Sequence, residues 1–200
     1  MTKMKICGLT RYEDIEAANR YKPDYIGFVF AKKSRRFLPP KQAAQFKNQL
    51  SADIAAVGVF VNEEKEKIAD LLKQDIIDLA QLHGQESEEE ICWIKEQTGK
   101  PVIKAVSVRT RADVDCWQES CADYLLLDQG AGGSGCTFDW SLADGCVKPY
   151  FLAGGICSAN LTEALKKGAY ALDVSSGAET DGKKDPEKME EMIRGVRLLG

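Results

Sequence analysis

The chain has 200 residues, of which 44% are hydrophobic and 29% charged, and its formal net charge is −4 at pH 7. This composition is typical of one globular domain with a sizeable core, so we expect residues 1–200 to form a single domain. The mild negative charge argues against nucleic acid as a partner, and no apolar run is long enough to cross a membrane. Because the first residues lack the apolar segment of a signal peptide, we expect a cytoplasmic protein.

Short apolar runs alternate with helical stretches eight times along the chain. The predicted strands are Met4–Cys7, Tyr25–Phe30, Ala55–Val61, Ile76–Gln81, Val102–Val106, Tyr124–Leu127, Tyr150–Ala153 and Ala171–Val174. The predicted helices are Arg11–Tyr21, Lys41–Gln49, Glu63–Lys73, Ser87–Gln97, Arg111–Glu119, a weak Trp140–Ala143, Ser158–Lys167 and Pro186–Arg197. Most of the strands are apolar throughout, which indicates burial on both faces. The predicted N-terminal helix caps are Thr10, Ser87, Asp139, Ser158 and Asp185, the first two with the glutamate of a capping box three residues later.

Alternating strands and helices predict a parallel sheet with right-handed crossovers. Eight such units favour closure into a single (β/α)8 TIM barrel, although an open doubly wound sheet also fits the pattern. In a barrel of this kind the loops after the strands carry the functional residues, because the carboxyl ends of all strands converge there.

Metal chemistry finds little support in the sequence. The single histidine, His83, cannot supply a multi-histidine metal site, and no metal-binding motif is present, so we expect no metal. His83 also fits a purely structural role that fixes a loop. The seven cysteines form no C-x-x-C pair. We therefore expect six of them to be reduced, mostly buried thiols, and only Cys7 stands out by its position.

Glycine and serine residues follow several predicted strands at the point where a phosphate would be expected. Their backbone N–H groups can approach an anion closely, and the loops after strands seven and eight are the usual phosphate site of such barrels. The same residues also suit ordinary turns. The candidate phosphate-binding residues are Gly133, Ser134, Gly154, Gly155, Ser175, Ser176 and Gly177.

Two ionisable side chains end apolar strands and are candidates for proton transfer. Cys7 ends the first strand, where a cation such as Arg36 would help it ionise to a thiolate base. Asp128 follows three leucines, and such surroundings raise the pKa of a carboxyl group and suit a general acid. Each also has a simpler interpretation: Cys7 as a core thiol, and Asp128 as a helix cap or ion-pair partner.

The motifs KICG, the SRR segment after strand two, QLHG, LLLD, GGSGCTFDW, LAGGI and DVSSG occur in one order. In that order the chain resembles the phosphoribosylanthranilate isomerase family over roughly Met4–Gly195. Small departures are Ser134, Cys136 and Leu172, which stand where other residues are common. The resemblance implies a cofactor-independent (β/α)8 enzyme of tryptophan biosynthesis that rearranges N-(5-phosphoribosyl)anthranilate to a 1-deoxyribulose 5-phosphate. It implies a small phosphosugar as partner, and a monomer is favoured over a homodimer.

The resemblance also implies roles for individual residues. Cys7 matches the catalytic base and Asp128 the general acid, while Arg36 matches the substrate-contacting arginine by its spacing from Ser34. Because Arg35 is adjacent, the choice of Arg36 over Arg35 as the substrate contact rests on this spacing alone. The substrate pocket is expected to be lined by Gln81, His83 and Asp173, with the glycines and serines named above as the phosphate loops.

Three competing functions remain open. The related isomerase of histidine synthesis performs the same type of reaction, but it has an aspartate where this chain has Cys7, and the halves of this chain do not repeat. A metal-dependent ribulose-phosphate epimerase is disfavoured by the single histidine. A non-catalytic phosphate-binding barrel would keep the glycine and serine loops but would not need both Cys7 and Asp128.

Overall fold

The computed structural model describes residues 1–129 and 138–200. Within them, eight parallel strands form a closed barrel in which each strand pairs with the next along the chain and the last pairs with the first. The predicted (β/α)8 barrel is confirmed, and the open-sheet alternative is wrong. The pairing places Cys7 beside Gly27 and Asp128 beside Ser107, so these strand ends lie at one rim of the barrel.

The strands are short and buried. They are β1 Lys3–Cys7, β2 Tyr25–Val29, β3 Ala55–Phe60, β4 Leu79–Leu82, β5 Val102–Ser107, β6 Tyr124–Asp128, β7 Tyr150–Leu152 and β8 Ala171–Val174. The α-helices are α1 Tyr12–Tyr21, α2 Pro40–Lys47, α3 Lys65–Lys73, α4 Glu88–Thr98, α5 Arg111–Asp115, α6 Leu161–Leu165 and α7 Pro186–Leu199. Short 3₁₀ segments cover Trp140–Ala143, Ser158–Asn160 and Ser176–Ala178. None of the helices in the described ranges is long and apolar enough to cross a bilayer.

The core has two parts because the strands are covered on both faces. Apolar side chains such as Val57, Ile103, Leu126 and Phe151 fill the inside of the barrel. A larger cluster packs between the outside of the barrel and the helices. This double burial explains why the strands read as continuous apolar runs without alternation.

Some element boundaries differ from the sequence prediction. Strand β4 begins at Leu79 rather than Ile76, because the Ile76 N–H bonds to the Leu71 carbonyl at 3.1 Å and extends the end of α3. Helix α5 is shorter than predicted. After Asp115 the chain continues in tight turns, in which the N–H of Trp117 bonds to the carbonyl three residues earlier.

Three of the predicted helix caps are confirmed and two are wrong. Ser87, Asp139 and Asp185 each accept a backbone N–H from the first turn that follows. Thr10 does not cap α1, since its own N–H instead donates to the Asp14 carboxylate at 2.9 Å. Ser158 does not cap a long helix either, because it lies in the 3₁₀ turn that precedes α6.

A small hairpin after β8 is absent from the sequence prediction. Strands β9 Glu179–Thr180 and β10 Lys183–Lys184 pair antiparallel. Between them lie Asp181 and Gly182, with φ of 51° and 76°. An Asp-Gly pair with two positive φ angles is a strong hairpin signal, and it was present in the sequence.

The cysteine prediction is largely wrong. Cys92 of α4 forms a disulfide with Cys121, close before β6. The free cysteines among the described residues are the buried Cys7, the exposed Cys116, and the half-buried Cys146 and Cys157. Cys136 lies outside the described residues. The thiols therefore follow no common burial pattern, and Cys7 is the buried one among those described.

Candidate active site

A pocket opens at the carboxyl-terminal end of the barrel, where the sequence predicts the site. Most of the predicted functional residues line it together, namely Cys7, Arg36, Gln81, His83, Asp128, Gly154, Gly155, Asp173, Ser175 and Ser176. The wall between these polar groups is formed by small apolar side chains, which the sequence analysis did not single out: Val29, Ala31, Val59, Val61, Ala153 and Ile156. The pocket therefore has a largely apolar wall with a few polar groups at defined points, as is usual for small-molecule sites.

The pocket lining cannot be compared with all seven predicted phosphate residues, since two of them are not among the described residues, and Gly177 is described but does not line the pocket. Gly133 and Ser134 lie outside the described residues. Gly177 packs behind the pocket: a Cβ added there would lie 2.0 Å from the Ile156 carbonyl oxygen. The glycine therefore allows the loop after β8 to pack closely on the loop after β7.

The two loops present backbone donors to the pocket. Gly154 and Gly155 have φ of 85° and 63°, a region that favours glycine. The N–H groups of Gly155 and Ser176 make no hydrogen bond to any other described residue. Donors of this kind beside a pocket suit an anion.

Asp128 is buried at the end of β6. Its Oδ1 accepts the Gln129 N–H at 2.8 Å, and its Oδ2 lies 3.7 Å from His83 Nε2. Burial raises the pKa of the carboxyl group, and His83 only partly opposes that effect. The direction agrees with the expectation from its apolar strand.

His83 is oriented by Gln81. The Gln81 Oε1 accepts from Lys5, so its Nε2 faces His83 Nδ1 at 3.0 Å. Because an amide NH₂ group only donates, Nδ1 is the acceptor, and Nε2 carries the proton toward Asp128. A continuous chain of polar contacts therefore joins Lys5 to Asp128 across the pocket.

Cys7 does not have the easily ionised thiol that the sequence analysis expected. Burial raises its pKa above the ordinary value, while Lys5 and Lys184 work in the opposite direction. The expected helper, Arg36, is not among the groups that lower it most. Lys5 and Lys184, rather than the expected Arg36, are the cations that favour the thiolate. The effect of burial on the pKa of Cys7 outweighs theirs.

Lys5 is a functional candidate that the sequence analysis missed. Its side chain is fully buried inside the barrel and donates to Gln81 Oε1 and Asp173 Oδ1, each at 2.9 Å. Burial disfavours its charge, but the attraction of Asp173 and Cys7 outweighs burial and raises the pKa of Lys5. A lysine in an otherwise apolar buried strand was the signal that could have identified it.

Arg36 rather than Arg35 lines the pocket. The Arg36 side chain is 10% exposed and that of Arg35 is 58% exposed, although both donate to Glu179. This agrees with the choice of Arg36 from its spacing. Glu179 and its third cationic partner, Lys184, lie on the hairpin that the sequence does not predict, so neither was among the candidates.

The closed barrel and the pocket at its carboxyl-terminal rim place the chain among the (β/α)8-barrel enzymes. The sequence model of N-(5'-phosphoribosyl)anthranilate (PRA) isomerase matches residues 4–195, and the chain belongs to that family.

Individual relatives agree with this assignment. The N-(5'-phosphoribosyl)anthranilate isomerase of Endomicrobium trichonymphae is 44% identical, with 100% of both chains covered. The crystal structure of the Thermus thermophilus phosphoribosyl anthranilate isomerase has a TM-score of 0.90 at 35% identity, again over 100% of both chains. A further phosphoribosyl anthranilate isomerase, solved with reduced 1-(o-carboxyphenylamino)-1-deoxyribulose 5-phosphate, has a TM-score of 0.87 at 36% identity over 100% of both chains.

Proposed function

We propose that this protein converts N-(5-phosphoribosyl)anthranilate to 1-(2-carboxyphenylamino)-1-deoxyribulose 5-phosphate, an Amadori rearrangement in L-tryptophan biosynthesis. The observation that carries the proposal is that Cys7 and Asp128, from β1 and β6, line one pocket with Gly155 and Ser176, whose N–H groups bond to no other described residue. The full-length relatives are phosphoribosylanthranilate isomerases, which supports the same reaction for this chain.

The reaction needs one proton donor and one proton acceptor. Asp128 in its acid form protonates the furanose oxygen, and the ring opens to a Schiff base. The cationic imine acidifies the C2 proton, which Cys7 takes as a thiolate, and the resulting enolamine tautomerises to the ketone. The furanose C–O bond breaks, C2 is oxidised and C1 is reduced within the same molecule, so the proposal includes no external redox cofactor and no metal. Groups of this kind typically contribute about 10²–10⁴-fold each.

The form of the site that can react has Cys7 as a thiolate and Asp128 protonated. It is a minor form, because burial raises the pKa of Cys7. Burial raises the pKa of both groups, which favours the acid form of Asp128 but also keeps the proton on Cys7. Thiolate Cys7 with protonated Asp128 contains the same number of protons as neutral Cys7 with ionised Asp128. The two forms therefore exchange a proton without changing the total charge, and their ratio does not depend on pH.

The substrate has a phosphate at one end and an aryl carboxylate at the other, and the pocket offers a separate group to each. The phosphate is assigned to the loops of Gly154–Gly155 and Ser175–Ser176, where backbone N–H groups approach an anion. The anthranilate carboxylate is assigned to Arg36, whose planar guanidinium matches a carboxylate. Gln81, His83 and Asp173 then line the space around the ribose.

A monomeric state and a cytoplasmic location are also part of the proposal. The first is tested by light scattering coupled to size-exclusion chromatography of the purified protein. The second is tested by fractionation of the source cells.

The direct test is the loss of fluorescence of phosphoribosylanthranilate generated in the cuvette, followed with purified protein. We expect turnover of this substrate and a much lower rate with the aminoaldose phosphate of histidine synthesis. Failure to accelerate the first reaction would contradict the proposal, and a preference for the second would assign the protein to the other pathway.

A further inference from the structure

Glu179 is a buried carboxylate outside the proton-transfer pair, and it lies among three cations. It accepts from Arg36 Nε at 2.7 Å and Nη2 at 2.9 Å, from Arg35 Nη2 at 3.0 Å and from Lys184 Nζ at 2.6 Å. Its side chain is only 4% exposed. Burial disfavours the charge, but the bonds from Arg36 and Lys184 outweigh burial and lower the pKa to about 2. Glu179 is therefore an anion throughout the neutral range.

The contact between Glu179 and Arg36 uses one particular edge of the guanidinium. A guanidinium has a side edge, formed by Nε and one terminal nitrogen, and an end edge, formed by the two terminal nitrogens. Glu179 occupies the side edge. Nη1 of Arg36 bonds to no other residue within 1–129 and 138–200, and Arg36 lines the pocket. The end edge is therefore left for a carboxylate that enters the pocket.

The backbone around Glu179 is fixed on both sides. Glu179 pairs with Lys184 across the β9–β10 hairpin, and its carbonyl accepts Lys188 Nζ at 2.8 Å. The Lys184 carbonyl accepts Arg11 Nη2 at 2.6 Å, which ties the hairpin to the start of α1. The Lys184 ammonium also donates to the Ser175 carbonyl at 2.9 Å, in the loop assigned to phosphate. A carboxylate held this way can fix the direction of the arginine it binds.

The charges leave this corner attractive to an anion. Three cations, Arg35, Arg36 and Lys184, surround one carboxylate, so the cluster is net positive. Without Glu179, Arg36 would be a long, flexible cation near two others of the same sign. With Glu179 present, repulsion is reduced, and the guanidinium loses less conformational entropy when the substrate binds.

We propose that Glu179 is a positioning residue that holds the side edge of Arg36, so that its end edge selects substrates carrying a carboxylate on the aryl amine. The inference rests on the proposed function and adds how the aryl carboxylate is recognised. Glu179 touches no reacting atom in this assignment and acts only through Arg36.

The test begins with Glu179→Gln, in which the amide keeps the shape but places an NH₂ group against a cation. Losing one charge-assisted bond predicts a KM about tenfold higher, with kcat changed by less than about threefold. The limb assigned to Asp128 should not move, whereas the limb assigned to Cys7 can move only to lower pH, because Lys184, which lowers the pKa of that thiol, loses its counter-charge. The matched control is Glu190→Gln, which removes a partly exposed glutamate paired with Arg194 on α7. It should leave both constants unchanged.

A double-mutant cycle separates positioning from a general structural effect. In an Arg36→Ala background, Glu179→Gln should cause no further rise in KM, because the arginine through which it acts is gone. If Glu179→Gln does not fold, Glu179→Asp takes its place in the cycle, since it keeps the charge but withdraws it by one methylene. A KM effect that persists without Arg36, or a KM equal to wild type in a folded variant, would overturn the inference.

Ligand discrimination gives a second readout that a structural role would not move. Wild-type protein should bind a product analogue with the aryl carboxylate at least tenfold more tightly than the same analogue without it, and Glu179→Gln should reduce that ratio. An unchanged ratio would overturn the inference. If wild-type protein shows no turnover at all, the proposed function fails instead, and the discrimination ratio still tests the arginine's position.

Discussion

The two ends of the same barrel bury polar side chains in opposite ways. At the amino-terminal end, a cluster centres on the Tyr170 hydroxyl. This oxygen lies 2.9 Å from Lys3 Nζ, 2.9 Å from the Tyr25 hydroxyl and 3.4 Å from the Tyr124 hydroxyl. These groups bond to one another, and they pack around Phe151. At the carboxyl-terminal end, Arg36, Gly155 and Ser176 keep donors that no described residue uses.

The difference shows that polarity alone does not mark a functional site in this fold. Both ends contain buried ionisable groups, and burial raises the pKa both of Tyr25 and of Asp128. What distinguishes the carboxyl-terminal end is hydrogen-bonding capacity left facing a pocket. We therefore expect substitutions there to change kinetics and substitutions at the opposite end to change stability.

Apart from substitution of the base Cys7, the largest effect is expected for Asp128→Asn. This change should lower kcat by about 10²–10⁴-fold. In wild-type protein, kcat/KM should rise with pH up to the Asp128 pKa, which burial places above the ordinary 3.8. It should then stay level, and it should fall above the Cys7 pKa, which lies above 9.0.

The variant should lose the neutral plateau. With no carboxyl group to titrate, residual activity should follow the thiolate alone and rise with pH through the neutral range. The measurement is kcat/KM from pH 5 to 10 for both proteins. A plateau that survives in Asp128→Asn would contradict the assignment of Asp128 as the acid.

Arg36→Ala should raise KM by about 100-fold, because the substrate loses two charge-assisted bonds at once. Arg35→Ala is the control, since it removes an exposed arginine that contacts the same Glu179. Its effect on KM should be severalfold at most. If Arg35→Ala has the larger effect on the measured KM, the assignment of Arg36 rather than Arg35 as the carboxylate-binding residue is wrong.

Gly155→Leu should raise KM for the phosphorylated substrate by about 30-fold, because a side chain at this position obstructs the phosphate loop. Gly168→Leu is a matched control, since it has the same φ of 63° and open space around it but lies in the turn before β8. Backbone strain is then common to both variants. Equal KM values for the two variants would count against this phosphate site.

The smallest effect is expected at the opposite end of the barrel. Tyr170→Phe removes a hydroxyl that bonds to Lys3, Tyr25 and Tyr124, and should lower the free energy of unfolding by about 1 kcal/mol. Its kcat and KM should equal those of wild type. Urea unfolding together with steady-state kinetics checks both statements, and a fall in kcat would show that the two ends are not separate.

The sequence predicted the barrel and the residues at its rim because both follow from local patterns. Apolar runs define buried parallel strands, and Cys7 and Asp128 are polar residues at the ends of such runs. The pairing of Glu179 with Arg36 could not be predicted this way, because it joins residues 143 positions apart through a hairpin that the strand and helix pattern does not indicate. The pKa of Cys7 also depends on Lys5 and Lys184, whose distances to the thiol only the folded chain sets.

The assignment of Cys7 as the general base is tested most directly by the kcat of Cys7→Ala. Cys116→Ala is the matched control, because it removes an exposed free cysteine outside the pocket. We expect Cys7→Ala to lower kcat by about 100-fold or more, since the proton acceptor is lost, while Cys116→Ala turns over normally. Cys7→Ser should also be slow, because a hydroxyl supplies almost no anionic base near neutral pH. A near-normal kcat in Cys7→Ala, measured on protein shown to be folded, would contradict the account and make Cys7 a core thiol.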